Sequence, residues 1–168
     1  QPRIAVLADA DLISRSMKSS VSHDHALQLL RQSTGDLRAT FRPGQFEAIE
    51  HVLERRGPLL VVQRTGWGKS NVYFIAAKLL RQQQAGPTVI ISPLLALMRN
   101  QIAAAERAGI RAVRVTSEEK NRADRARIRD DLLADRVDVL LISPERLGNA
   151  EFIQTMLQPV AARIGLLV

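Results

Sequence analysis

The chain has 168 residues, 46% of them hydrophobic and 24% charged, which makes one globular domain with a sizeable core and leaves little room for a second. Zero cysteines exclude disulfides, thiolate catalysis and a cysteine-held zinc or iron–sulfur site in this stretch, and they fit a reducing compartment, the cytoplasm. The net charge of +7 favours a polyanionic partner, and without an apolar run of about 18 residues no membrane partner is expected. The start at Gln1 and the apolar end Ile164-Gly165-Leu166-Leu167-Val168 read as a piece of a longer chain.

Residues 1–22 carry no clear pattern and read as an arm or linker, with the domain proper over 23–168. Asp24–Arg31 and Gly44–Arg56 read as amphipathic helices, the second with Phe46, Ile49, Val52 and Leu53 on one face. Leu59–Val62, Thr88–Ile91, Ala112–Val115, Val137–Ile142 and Ile164–Val168 are apolar apart from Thr88, Arg114 and Asp138 and read as parallel strands covered on both faces. Helical periodicity fills the intervals at Lys69–Gln84, Leu94–Ala108, Ser117–Leu133 and Ala150–Leu157. Alternating strand and helix predicts an α/β fold, a parallel sheet flanked by helices on both faces. The three histidines, His23, His25 and His51, form no metal-ligand pattern and read as surface or loop residues.

Charge is not spread evenly along this order. Residues 59–114 hold 8 basic side chains against Glu106 alone, whereas residues 1–58 hold 8 against 7 and residues 115–168 hold 8 against 9. The anion partner is therefore expected at the middle third. The arginine-rich stretch Lys120–Arg129 is balanced, since residues 118–138 hold 6 bases and 7 acids, and it reads as a solvated helix face laced with ion pairs. Ala123, Ile128, Leu132 and Leu133 are left to face inward.

Within the basic third, the apolar run Leu59–Val62 leads into Gln63-Arg64-Thr65-Gly66-Trp67-Gly68-Lys69-Ser70 and then a helix. This is the end of a phosphate-binding loop, G-x-x-x-x-G-K-[ST], with Gln63 where the first glycine is expected. Gly66 and Gly68 let the backbone curl so that amide N–H groups converge on an anion at a helix N-terminus. Lys69 reaches the β- and γ-phosphates, and the Ser70 hydroxyl is the expected Mg2+ ligand. Trp67 is either exposed near the nucleotide or wedged against a neighbouring element.

Four blocks in order, Phe41-Arg42-Pro43-Gly44-Gln45, Thr65–Ser70, Ile91–Gln101 and Ile142–Leu147, resemble the first RecA-like motor domain of the RecQ-like superfamily 2 DNA helicases. The resemblance runs from Phe41 to Val168 and implies a RecA-like P-loop NTPase fold. It implies ATP and Mg2+ as cofactors, held by Arg38, Arg42, Gln45, Thr65, Gly66, Trp67, Gly68, Lys69 and Ser70. Lys69 is then the catalytic group, and Gln45 the reader of the adenine edge through its paired donor and acceptor. The blocks Ser92-Pro93-Leu94-Leu95-Ala96-Leu97-Met98-Arg99-Asn100-Gln101 and Ser143-Pro144-Glu145-Arg146-Leu147 imply nucleic-acid contacts from Ser92, Pro93, Arg99, Asn100, Gln101, Ser143 and Arg146.

As a member of such a family the intact protein is expected to be a DNA-stimulated ATPase and helicase working in DNA repair and recombination. Its partners would be single-stranded and duplex DNA and a second RecA-like domain of the same chain. Its place would be the cytoplasm, or the nucleoid in a bacterium. Three departures stand against the pattern: Arg38 and Thr40 occupy the place of an adenine-stacking aromatic, Gln63-Arg64 replaces Met-Pro, and the acidic D-E-A-H block is absent. The 168 residues alone are therefore expected to be nearly inactive. Another P-loop ATPase, and a non-catalytic nucleic-acid-binding module with a degenerate nucleotide site, are the competing readings.

Overall fold

The computed structural model describes residues 22–54, 57–93, 95–116 and 122–168, and the side chains of 95–99 and of 122 are left out. The arm expected over residues 1–22 lies, apart from Ser22, outside the described residues. The chain divides into two compact units, Gln1–Leu79 and Leu80–Val168.

The regular structure described in the first unit is mainly helical. Helix α1 spans His23–Thr34, longer than the periodicity predicts at both ends, because Ser22 caps it and Gly35 stops it. The Ser22 hydroxyl accepts from the His25 amide, and Gly35 takes the left-handed φ of 71° that ends helices. Helix α2, Gln45–Glu54, starts after Gly44 at φ 85° and buries Gln45, Ala48, Ile49, His51 and Leu53. His51 is thus a buried helical residue and not a surface one, since its position falls on the inward stripe. His23 is exposed, but its ring packs edge-on against Phe41 and Phe46, with centroids 5.6 and 4.6 Å away.

Leu59–Val62 departs from expectation. Only Leu60 makes a bridge, and Leu60 and Val62 are 55% and 63% exposed. An apolar run becomes a buried strand only where partners flank it, and local composition carries no information about them. Helix α3, Lys69–Gln82, follows the phosphate loop and crosses from the first unit into the second.

The second unit holds a four-stranded parallel sheet in the order β2-β3-β1-β4, with β1 Thr88–Ile91, β2 Ala112–Val115, β3 Val139–Ile142 and β4 Leu166–Leu167. Strands β3 and β4 are shorter than their apolar runs. Asp138, just before β3, still bonds through its backbone to Thr88 and Arg111, while its side chain accepts from Arg111. Helix α4 (Leu95–Arg107) and helix α5 (Arg122–Leu133) connect the strands, and the part of the predicted helix over 117–121 lies outside the described residues. Helix α6, Ala150–Phe152, is capped by Asn149 and runs on through a π-helical turn, Ile153–Leu157, into a 3-10 turn, Gln158–Arg163.

One face of the sheet packs Val89, Val115, Leu140 and Ile142 against Leu132 of α5 and Phe152, Met156 and Val160 beyond it. Val139 and Leu141 project to the opposite face and are equally inaccessible, at 0%. Burial on both faces is why β3 reads as an unbroken apolar run, and each such side chain contributes about 1.5–3 kcal/mol. The architecture is α/β with a parallel sheet flanked by helices, as the alternating pattern predicts. Among the described residues no helix is long and apolar enough to cross a membrane.

Register decides where the sequence motifs emerge. Ile91 pairs with Ile142, and Val115 with the same Ile142, so β1, β2 and β3 end level. Ser92-Pro93 and Ser143-Pro144 therefore leave the sheet side by side at the carboxyl edge, where ligands of open α/β sheets bind.

Candidate functional site

In the first unit the phosphate loop is built on two glycines with left-handed backbone, Gly66 at φ 80° and Gly68 at φ 98°. The Lys69 ammonium turns back over the loop and donates to the carbonyls of Gln63 at 2.7 Å and Arg64 at 3.2 Å. Among the described residues its partners are these neutral carbonyls, so no described carboxylate competes for the ammonium. This donor set fits a nucleotide phosphate. The Ser70 hydroxyl accepts from Tyr73 Oη at 3.0 Å, which leaves its oxygen a lone pair for a cation.

Gln45 roofs the loop. It is 3% exposed; its Nε2 donates to Trp67 O at 2.8 Å, and its Oε1 accepts from the Arg42 amide at 2.9 Å. Arg42, otherwise exposed, donates from Nη1 to Gly66 O. The block Phe41–Gln45 and the loop are thus one hydrogen-bonded assembly, 20-odd residues apart in sequence. The donor and the acceptor of the Gln45 amide are thus both engaged by backbone groups of this assembly. Trp67 is 6% exposed, which resolves the choice its sequence position left open: the indole is buried. Thr65 and Arg38 are exposed, and the Arg38 backbone amide donates to Asp36 Oδ1 at 2.8 Å.

In the second unit the two Ser-Pro blocks flank the carboxyl edge of the sheet. The Ser92 amide donates to Ile142 O at 3.0 Å, tying the first block to the end of β3. Pro93 and Asn100 are exposed, Ser92 and Gln101 partly so, and the Arg99 side chain lies outside the described residues. Ser143 is 2% exposed and opens the short 3-10 turn Pro144–Gly148. The Glu145 carboxyl in that turn is held below its ordinary range by its own backbone amide and by Ser143.

Arg146 differs most from what its block implies. It is 7% exposed, and Nε donates to Thr116 O at 2.9 Å, with Nη2 on the same oxygen. Its guanidinium lies 6.0 Å from the Phe152 ring. The residue pins the turn after β3 to the end of β2, and so sets the shape of the edge rather than projecting from it. Sequence reasoning also passed over Arg81, Arg111, Asp135 and Asp138, which form an ion cluster at the amino ends of β2 and β3. The signal was there as acids and bases at segment boundaries, but nothing local pairs residues 57 positions apart.

Comparison with known proteins bears on residues 42–168, which match the family described as DEAD/DEAH box helicase. The chain is similar to an ATP-dependent DNA helicase RecQ of Bacillus subtilis, 39% identical over 69% of the chain and 19% of that protein. It is similar to an ATP-dependent DNA helicase RecQ of Pasteurella multocida, 30% identical over 85% of the chain and 22% of that protein. A third relative is ATP-dependent DNA helicase Q4 of Homo sapiens, 34% identical over 66% of the chain and 9% of that protein. The chain therefore spans less than a quarter of the length of these curated relatives.

Proposed function

Because the chain belongs to the DEAD/DEAH box helicase family, with a RecA-like α/β fold and RecQ-type relatives, we propose that it is the nucleotide-binding half of an ATP-driven DNA-unwinding motor. The observation that carries this reading is Lys69, an ammonium folded over a two-glycine loop whose partners among the described residues are carbonyls, under a buried glutamine that spans two backbone groups. The phosphates of ATP would take the Lys69 ammonium from Gln63 O and Arg64 O and lie against the amides of Gly66–Ser70. Ser70 would hold Mg2+, which supplies charge neutralisation at the β- and γ-phosphates when bound. Gln45 and Arg42 would position the base, with exposed Arg38 able to lay its guanidinium on it in place of the family's aromatic.

The second unit would hold a single strand against the level edge of the sheet, through Ser92, Pro93, Arg99, Asn100, Gln101 and the turn at Ser143. Backbone amides and polar side chains there address phosphates, so recognition would ignore base sequence. Hydrolysis would need an acidic pair to orient water, and no block of this chain resembles D-E-A-H. We therefore expect ATP binding without appreciable turnover from the 168 residues, and DNA-stimulated hydrolysis from a protein that joins them to such a block and to a second RecA-like domain.

Emission of the single tryptophan, Trp67, reports the loop directly. ATP with Mg2+ should change it saturably in the wild-type chain and leave it unchanged in Lys69→Ala. An unchanged signal and no binding by calorimetry in the wild type would refute the nucleotide site. In the longer protein, hydrolysis that single-stranded DNA does not accelerate, and that Lys69→Ala does not reduce, would refute the motor.

A further inference from the structure

The arginine-rich stretch that composition assigns to a solvated face is only partly solvated. Arg125 and Arg129, one turn apart on α5, line a cavity of 320 Å3 whose other wall is Asn149, Phe152 and Thr155, with Arg146 also in the lining. Glu151 is the acid of that lining, so three cations stand against one carboxylate.

The donors are not used up within the fold. Arg125 Nε is buried and has no hydrogen-bond partner among the described residues. A buried donor without an acceptor is unfavourable, and an oxyanion entering the cavity would relieve it. Arg129 is held by its helix neighbour Asp130 at 3.0 Å, in a pair 42% and 60% exposed that is weak enough to exchange for a better acceptor. The Asn149 Oδ1 accepts from the Phe152 amide at 2.8 Å, which fixes the side chain as a cap and leaves its amide N–H groups as donors. Arg146 is anchored to Thr116 O and adds charge without moving. Arginine forks in a walled cavity recognise tetrahedral oxyanions better than isolated surface lysines do.

Placement narrows the source of that anion. The cavity is bounded by the turn that leaves β3 and by the first half of α5, which begins six residues after Thr116 at the end of β2. It therefore lies beside the same carboxyl edge from which the two Ser-Pro blocks emerge.

We propose that the cavity between α5 and α6 binds a phosphate group through Arg125 and Arg129, and that this phosphate belongs to a nucleic-acid strand lying along the carboxyl edge of the sheet. The second half of the statement rests on the motor reading above; the phosphate site itself does not.

Two measurements on the chain separate the possible sources. In the first, inorganic phosphate should raise the melting temperature of the wild type beyond the effect of chloride at equal ionic strength, and Arg125→Gln/Arg129→Gln should remove the part of that excess that Lys69→Ala leaves. In the second, anisotropy of a labelled oligothymidylate of about 15 nucleotides should report an affinity about tenfold lower in the double glutamine variant, with the salt dependence reduced by about 0.7 for each phosphate released. Arg125→Lys/Arg129→Lys should restore most of that loss and guards against misfolding. Equal behaviour of wild type and double glutamine variant in both measurements overturns the site. A phosphate effect in a chain that binds no oligonucleotide overturns the strand assignment. Binding of a polyglutamate peptide as tight as that of the oligonucleotide also overturns it, since the cavity would then read acidity alone. Oligonucleotide binding that persists undiminished in the glutamine variant overturns the cavity's part in it while leaving the motor reading intact.

Discussion

The two loop glycines look alike in sequence and are not alike in place. A Cβ added at Gly68 would lie 2.6 Å from Gln45 Nε2, at φ 98°, whereas one added at Gly66 meets nothing within 4 Å, at φ 80°. Both backbones are strained for an L side chain, but only Gly68→Ala also drives Gln45 off Trp67 O. Gly66→Ala should cost about 1 kcal/mol and Gly68→Ala about 2–3 kcal/mol by denaturant unfolding followed through Trp67. Equal losses would mean that the Gln45 contact has no energetic weight. Arg146 makes the complementary point: its block resembles a nucleic-acid motif, and its guanidinium is spent on a carbonyl of the neighbouring strand.

Between elements, the joint that holds the second unit at its amino edge is ionic. Asp138, 5% exposed, accepts from Arg81 Nε at 2.9 Å, from the Arg111 amide at 2.8 Å and from Arg111 Nη2 at 2.6 Å, so the end of α3, the approach to β2 and the start of β3 meet on one carboxylate. Asp135 joins through Arg81 Nη1 at 3.1 Å. Burial alone would raise the Asp138 carboxyl; the bonds from Arg111 and Arg81 outweigh it and bring it from its ordinary 3.8 down to about 2. Arg81 and Arg111 are correspondingly raised, Arg81 against an opposing effect of burial and Arg111 chiefly by its bond to Asp138. A carboxyl lowered on folding stabilises above its unfolded value and loses that contribution as pH falls through its folded one. Melting temperature should therefore fall between pH 4 and about 2 in the wild type. Asp138→Asn should cost about 2–3 kcal/mol at neutral pH, because it removes the charge that Arg81 and Arg111 share while Arg81 keeps Asp135, and the two proteins should converge toward pH 2. Parallel pH curves for the two would assign the acid sensitivity elsewhere.

Across the whole molecule, the charge of +7 acts as a field rather than as a set of contacts, and residues 59–114 carry the excess. Affinity for single-stranded DNA should fall steeply as salt rises and vary little between oligonucleotides of different sequence. An affinity flat from low to physiological salt would show that the basic third does not face nucleic acid.

Length, charge placement, the α/β alternation, most helix extents and the order of the four blocks were legible in the sequence, because capping, periodicity and loop geometry are local. Gly66 and Gly68 act on neighbours a few residues away, and so do their signals. What required the tertiary structure was everything decided by partners distant along the chain. Leu59–Val62 is as apolar as Thr88–Ile91 and forms no ladder, Trp67 is buried, His51 is interior, and Arg125 turns part of a balanced helix face into the wall of a cavity. Side-chain direction and strand pairing depend on which elements come together. A run of residue types fixes the propensity of a segment, and only packing fixes its partner.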